Sequence, residues 1–238
     1  MRKDMTIGVM QPYFFPYLGY WQLLTAVNKY VIFDDVNYIK RGWIARNRIK
    51  SNGQAIRFGL SVSKVSQNKK ICDLFLVDND EQMAHLEDEL KSAYHKAPYF
   101  NDVFPVLRDA LFSGEKNLAD FLVICIKRVC EYMCIDTEIL RSSNLDYDRS
   151  GHGSDKILSI CHLLEASAYI NAIGGMELYD HNHFEKEGID LGFIRMNEGL
   201  IYPQGDGDFI PSLSIIDVMM YNSLSECKEL LNRYDIIK

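Results

Sequence analysis

A chain of 238 residues, 47% hydrophobic and 25% charged, has an ordinary globular make-up and enough length to bury a large core without staples. A formal net charge of -7 removes any overall attraction to nucleic acid or anionic membrane, so a polyanion would need a local basic patch. No apolar run reaches the about 18 residues of a membrane helix, and the Met1-Arg2-Lys3-Asp4 start lacks the apolar stretch of a signal peptide. The six cysteines include no CxxC and no Cys/His cluster at zinc spacing. The expectation is therefore a cytoplasmic protein with reduced thiols, no membrane contact and no metal.

The first elements are the most informative. Ile7 to Met10 is a short apolar run that suits a buried strand. Pro12 and Pro16 forbid a ladder or helix across Gln11 to Tyr17, which must be a loop. Leu18, Trp21, Leu23, Leu24 and Val27 then recur at near-helical spacing, and Tyr30 to Phe33 is a second strand ending on Asp34-Asp35. This β-α-β opening places Gln11 to Tyr17 and the two aspartates beyond the carboxyl ends of parallel strands, where such sheets bind ligands. Aromatic residues on that loop, among them Tyr13, Phe15, Tyr17 and the following Tyr20, suggest a wall that stacks on a flat ligand.

From Lys40 to Lys50, five of eleven residues are basic: Lys40, Arg41, Arg46, Arg48 and Lys50. Arginine forks suit phosphate oxygens, so Lys40, Arg41 and Arg46, with Trp43 between them and Asn47 next to Arg46, read as a nucleotide-contacting strip. Ser51-Asn52-Gly53 is a turn, Ile56 to Val62 alternates like a half-buried strand, and Ser61 to Lys70 is a polar loop. Ile71 to Val77 follows as a possible strand.

The middle third reads as helical. Helices are expected over Asp80 to Tyr94, capped by Asp78 or Asn79, over Asp102 to Leu111, and over Asn117 to Met133, capped near Gly114-Glu115. Residues 78–135 would form a helical layer or small subdomain within one domain spanning 1–238.

The last third returns to alternation. Thr137 to Leu140 is a strand, His152 to Ala166 a helix, and Tyr169 to Ile173 a strand running into Gly174-Gly175, where a ligand could approach the backbone closely. A short helix over Glu177 to Glu187 and a strand over Leu191 to Met196 complete the pattern. The loop from Ile201 carries Gln204, and Ser212 is the expected N-cap of a helix from Leu213 to Asn222. The class is α/β, with a Rossmann-like, mostly parallel sheet, flanking helices and a helical insertion in the middle third.

Pro16-Tyr17-Leu18-Gly19-Tyr20 after a strand is similar to the start of HxGH nucleotidylyltransferases, with Tyr17 and Tyr20 where that superfamily has phosphate-binding histidines. Tyrosine is uncharged at neutral pH, so this distant resemblance implies the Rossmann-like frame more than adenylyl transfer. Gln11 to Tyr20 as a whole resembles the opening signature of the WbqC-like family. Asp34-Asp35-Val36 with Lys40 to Trp43 and Arg46 to Ile49, then Tyr94 with Lys96 to Phe100, resemble its second and third blocks. Tyr202, Gln204, Phe209, Pro211 and Leu213-Ser214-Ile215-Ile216-Asp217 resemble its C-terminal block. The resemblance implies a bacterial protein of surface-polysaccharide, O-antigen-type biosynthesis. It implies an enzyme that N-acylates or N-aminoacylates the amine of a nucleotide-linked deoxyamino sugar, dTDP- or UDP-type.

In that reading Gln11, Tyr13, Phe15, Tyr17, Gly19, Tyr20, Lys40, Arg41, Trp43, Arg46, Asn47, Gly174, Gly175, Gln204 and Ser214 contact substrate. A sugar ammonium must lose a proton before it attacks a carbonyl, and Asp34, Asp35 and His152 are the candidate bases. No serine elbow, Walker A loop or GxGxxG is present, so a covalent acyl-enzyme and ordinary ATP hydrolysis are not favoured; no covalently bound cofactor is expected. The acyl donor would be an acyl thioester, an activated amino acid or an aminoacyl-tRNA end. Two alternatives stand beside this reading: a nucleotidyl or phosphate transferase with a degenerate HxGH motif, and a non-catalytic sugar-nucleotide binding protein.

Overall fold

The computed structural model describes residues 5–77 and 80–238. The expected cap at Asp78 or Asn79 and the Met1 to Asp4 start lie outside the described residues. Strand β1 (Thr6–Met10) leads through the proline loop into helix α1 (Leu18–Thr25) and strand β2 (Lys29–Ile32). A hairpin of β3 (Arg46–Ser51) and β4 (Gln54–Gly59) follows, turning at Asn52-Gly53, both with positive φ. The run from Ile71 to Val77, expected as a strand, forms a 3-10 turn over Ile71–Asp73. Its only ladder is two residues long, β5 (Val62–Ser63) with β6 (Phe75–Leu76).

Helices α2 (Asp80–Tyr94), α3 (Phe100–Leu111) and α4 (Leu118–Met133) make up the middle third. Asn117, rather than Gly114 or Glu115, caps α4 by accepting from the Asp120 amide at 3.1 Å. Strand β7 (Glu138–Arg141), helix α5 (Ser154–Leu163), strand β8 (Ala168–Ala172), helix α6 (His181–Lys186) and strand β9 (Asp190–Met196) restore the alternation. Helix α7 (Ile215–Tyr221) is capped by Ser214 and not by Ser212, whose φ of 57° is left-handed. Helix α8 (Leu224–Leu231) and strand β10 (Tyr234–Ile237) lie past the last element expected from sequence.

The main sheet has the order β10-β9-β8-β1-β2-β7, parallel except for the antiparallel edge pair β9–β10. This is a doubly wound sheet: β1 is central, and the chain runs outward first through β2 and then, on the other side, through β8. Side chains alternate across it. Ile7, Val9, Val31, Tyr169, Leu191 and Phe193 face a core closed by α5 and α6. Tyr30, Ile32, Ile170 and Ile194 face the larger core beneath α1, the middle helices, the hairpin, α7 and α8. Period-2 alternation thus assigns each strand residue to one of two apolar layers. Because β1, β2, β7, β8 and β9 are parallel, their carboxyl ends share one edge, and the candidate site is built there.

Candidate functional site

The loop after β1 is held in a conformation that its own sequence disfavours. Phe15 has a φ of 41°, in the left-handed region that side chains rarely enter. Its carbonyl accepts from Asn47 Nδ2 and Ser214 Oγ, each at 2.7 Å. Asn47 Nδ2 also reaches the Phe14 carbonyl at 3.2 Å, and the Phe14 amide donates to the Ile44 carbonyl. Trp21 Nε1 and the Ile215 amide donate to the Pro16 carbonyl at 3.0 and 2.9 Å. Phe14 stacks on Phe58 with centroids 5.2 Å apart. The inward rings and these bonds from β3 and α7 over-determine the bend.

Tyr13 and Tyr17 are left half-buried on the outer side of the loop. They line a cleft of about 290 Å³ with Pro16, Trp43, Asn47, Arg48 and Ser212. Burial raises both phenol pKa values above the ordinary tyrosine range, and for Tyr13 the neighbouring Tyr17 adds to it, so both hydroxyls stay protonated donors. The Trp43 side chain is half exposed, and the Arg48 guanidinium lies 6.0 Å from its ring centroid. Arg48 Nη2 donates to the Pro211 carbonyl at 3.3 Å, whereas its buried Nε has no hydrogen-bond partner among the described residues. The cleft therefore combines aromatic surfaces, phenol donors and an under-satisfied guanidinium, a set suited to a planar group joined to an anion.

Residues 11–229, from this loop to α8, match the WbqC-like protein family. The chain belongs to that family. It is also 26% identical over 230 residues to a Mycobacterium tuberculosis (strain ATCC 25618 / H37Rv) protein described as "Uncharacterized protein Rv1507c", covering 94% of this chain and 96% of that one. No solved structure matches the chain. Membership of the WbqC-like family fits a role related to polysaccharide biosynthesis.

The family-signature residues divide sharply by location. Tyr13, Tyr17, Trp43 and Asn47 line the cleft, although the amide nitrogen of Asn47 is committed to the Phe14 and Phe15 carbonyls and its oxygen to the Arg48 amide. Phe15 and Tyr20, expected to stack on substrate, are each 1% exposed and belong to the core. Tyr20 spends its hydroxyl on the Gln11 carbonyl, 3.2 Å away. Gly19 makes room for a neighbour, since a Cβ there would stand 2.6 Å from the Tyr17 ring. Ser214 caps α7 and clamps Phe15. Gln204 closes its own loop by two 2.8 Å bonds to the backbone of Ile210.

The basic strip departs from expectation in a similar way. Arg46 turns back to the Gly42 carbonyl at 2.9 Å and to the Arg41 carbonyl, bracing the 40–46 turn, while Lys40 and Arg41 point outward. Arg48, not singled out for phosphate contact, is the guanidinium in the cleft. Gly174 and Gly175 lie in a 3-10 turn after β8 and do not line the cleft; Gly175 accommodates the Asn171 side chain, which a Cβ would meet at 2.7 Å.

The paired aspartates are buried at the ends of β2 and β7 and saturated. Asp34 Oδ2 takes Arg141 Nη2 at 2.6 Å, Arg141 Nε at 2.8 Å and Ser143 Oγ at 2.9 Å; Oδ1 takes the Ser143 amide at 3.0 Å. Asp35 takes Arg149 Nε at 2.8 Å and the Tyr147 hydroxyl at 2.9 Å, with Ser142 Oγ between the two carboxylates. Burial alone would raise the Asp35 pKa, but the bonds from Ser142, Arg149 and Tyr147 hold it below the usual carboxylate value. An acid so stabilised as its anion is a poor proton acceptor near neutrality. His152 is exposed just before α5, with its backbone amide bonded to Asp155. Neither aspartate nor His152 lines the cleft.

A third buried acid escaped notice as a site candidate, although Asp217 stands in the C-terminal signature. Its Oδ1 accepts from the Tyr94 hydroxyl at 3.0 Å, and its fully buried Oδ2 meets no hydrogen-bond donor among the described residues. Burial pushes this carboxyl up to about 7, against the opposing effects of Tyr94, Tyr202 and Lys50. The available signal was a lone acid inside the apolar run Leu213 to Met220, where an unpaired charge is costly.

Proposed function

We propose that this protein binds a nucleotide-linked deoxyamino sugar, dTDP- or UDP-type, in the cleft and N-acylates or N-aminoacylates its amine. The observation that supports this reading is the meeting of Tyr13, Tyr17 and Trp43 with Arg48, whose buried Nε has no partner among the described residues. The rings stack on the base or sugar, and the guanidinium holds a diphosphate oxygen. The sugar amine attacks the donor carbonyl, a C–N bond forms, and the thiol, phosphate or tRNA hydroxyl departs with the electrons of the broken bond. An α-amino-type amine has a pKa of about 8, so about a tenth is neutral at pH 7, and water at the open cleft can take the proton. The saturation of Asp34 and Asp35 is then compatible with turnover, because neither needs to act as base. The donor is an acyl thioester, an activated amino acid or an aminoacyl-tRNA end, the last reading the exposed Lys40 and Arg41.

The same saturation favours one competing reading, a sugar-nucleotide binding protein without chemistry. Thermal shift against UDP-, dTDP- and GDP-linked sugars, ATP and acyl donors tests both. A UDP- or dTDP-linked amino sugar should raise Tm, and Arg48→Met should abolish that rise without lowering the Tm of the free protein by more than a few degrees. Amide product by mass spectrometry after donor addition supports the enzyme; ligand stabilisation with no product from any donor supports the binding protein. If no nucleotide-linked ligand raises Tm, both readings fall.

A further inference from the structure

The cleft is small for a sugar nucleotide. Its volume of about 290 Å³ lies at the lower end of ligand pockets, which run from about 300 to 1,000 Å³. Beside it is a second cavity of about 30 Å³, lined among others by Tyr202, Phe209 and Leu213, which shares Tyr17 and Ser212 with the cleft. The two spaces meet at Tyr17 and at Ser212, the end of a strap that runs from Pro203 to Ser212. Gln204 ties this strap to itself through Ile210, so it holds its shape as a unit. Positive φ at Gly205, Gly207 and Ser212 supplies points where its backbone turns.

Two long side chains of β3 hold the strap down. Arg48 Nη2 donates to the Pro211 carbonyl, and Lys50 Nζ donates to the Asp208 carbonyl at 2.9 Å. Lys50 is 5% exposed, and no carboxylate pairs with it among the described residues. Behind it Asp217, 0% exposed, has the Oδ2 that no donor meets among the described residues, and Lys50 acts on this carboxyl electrostatically without an ion pair. A buried ammonium with one carbonyl partner and a nearby buried carboxyl with one oxygen unmet form an incomplete arrangement. Transfer of Lys50 from Asp208 to Asp217 would complete the second group while releasing the strap.

The geometry points to the 203–212 strap as a lid over the cleft, latched by Lys50 on the Asp208 carbonyl, with Asp217 as the partner Lys50 takes when the lid lifts. This rests on the proposed function only for what the enlarged chamber receives; the latch itself is independent of any ligand. The groups facing Asp217 are Tyr94 from α2, Tyr202 from the start of the strap, Lys50 from β3 and Tyr221 from α7. Three of them are phenols that stay neutral, so the charge of Asp217 decides whether Lys50 is drawn across. Below pH 7 the neutral acid leaves Lys50 on the strap. Above pH 7 the carboxylate competes for it, and the strap loosens.

Phe209, whose ring stands 5.2 Å from that of Tyr202 beneath the strap, is the reporter position. In a Phe209→Cys chain, alkylation at residue 209 is read by mass spectrometry and divided by the rate for free cysteine at the same pH. The normalised rate should rise about tenfold from pH 6 to pH 8. Adding Asp217→Asn, whose amide keeps the Tyr94 bond, should hold it at the pH 6 value at both. Adding Lys50→Met should make it fast at both. A rate equal at pH 6 and 8 without either further change, or the same rise with Asp217→Asn, overturns the latch. If this pattern holds and no sugar nucleotide raises Tm, the lid stands and the ligand assignment falls.

Discussion

Two places in this molecule bury aspartates, and they treat them in opposite ways. At the ends of β2 and β7, Asp34 and Asp35 receive two arginines, two serines, a tyrosine and a backbone amide. At the start of α7, Asp217 faces the phenols of Tyr94 and Tyr202, with Lys50 acting on it without an ion pair, and among the described residues no donor meets its Oδ2. The first carboxyl pair is filled with donors that brace the sheet edge, and Asp35 is held below the usual carboxylate value. The second carboxyl is pushed by burial up to about 7. Burial is common to both, so the number and charge of hydrogen-bond donors decides which acid is structural and which can respond.

The comparison is broken most severely at Asp217. Its folded pKa of about 7 stands above the unfolded value of about 3.9, so the native state keeps a proton that the unfolded chain has lost. The stability this gives is fully present below about pH 4 and is lost as pH rises toward 7. Asp217→Asn should therefore stabilise the protein at pH 8 by as much as about 4 kcal/mol and change little at pH 4. Urea unfolding at the two pH values measures this; equal effects at both would mean that the carboxyl is not held neutral by burial.

Arg141→Met tests the saturated pair. It leaves Asp34 buried without its guanidinium, at a cost of about 3 kcal/mol at pH 7. Asp35 has a depressed pKa, so its contribution is present above about pH 4 and disappears as pH falls through the folded value. Arg149→Met should accordingly destabilise at pH 7 and matter progressively less on acidification below pH 4. A pH-independent loss would assign Arg149 to packing alone.

The smallest effect sharpens the contrast between building the cleft and lining it. Ser214→Ala removes one of two bonds to the strained Phe15 carbonyl and the cap of α7, and should cost about 1 to 2 kcal/mol. Because Ser214 does not touch the cleft, ligand affinity should fall only as far as the loop shifts. Arg48→Met should do the reverse, losing ligand with stability nearly intact. Chemical denaturation alongside ligand titration separates the two classes.

Much of the frame was legible in the chain. Ile7 to Met10, the two prolines and Tyr30 to Phe33 mark strand, loop and strand by local chemistry. The helices of the middle third show in their apolar periodicity. α8 and β10 went unread, although Ser223 and Glu226 form a capping box at the start of α8; both are held from outside, where Gln22 of α1 bonds the carbonyls of Leu230 and Arg233 and β10 pairs with β9.

The site was legible as a neighbourhood but not as a set of contacts. Sequence alone determined that an aromatic, proline-bounded bend and a basic hairpin belong to one α/β frame, since strand propensity, proline geometry and charge are properties of adjacent residues. Only the tertiary structure decided that Asn47 and Ser214 serve the Phe15 carbonyl, that Arg48 rather than Arg41 or Arg46 enters the cleft, and that Asp34 and Asp35 are saturated while Asp217 is not. The physical reason is that a polar side chain's role depends on the donors and acceptors around it, and here they arrive from 32 to 199 residues away along the chain.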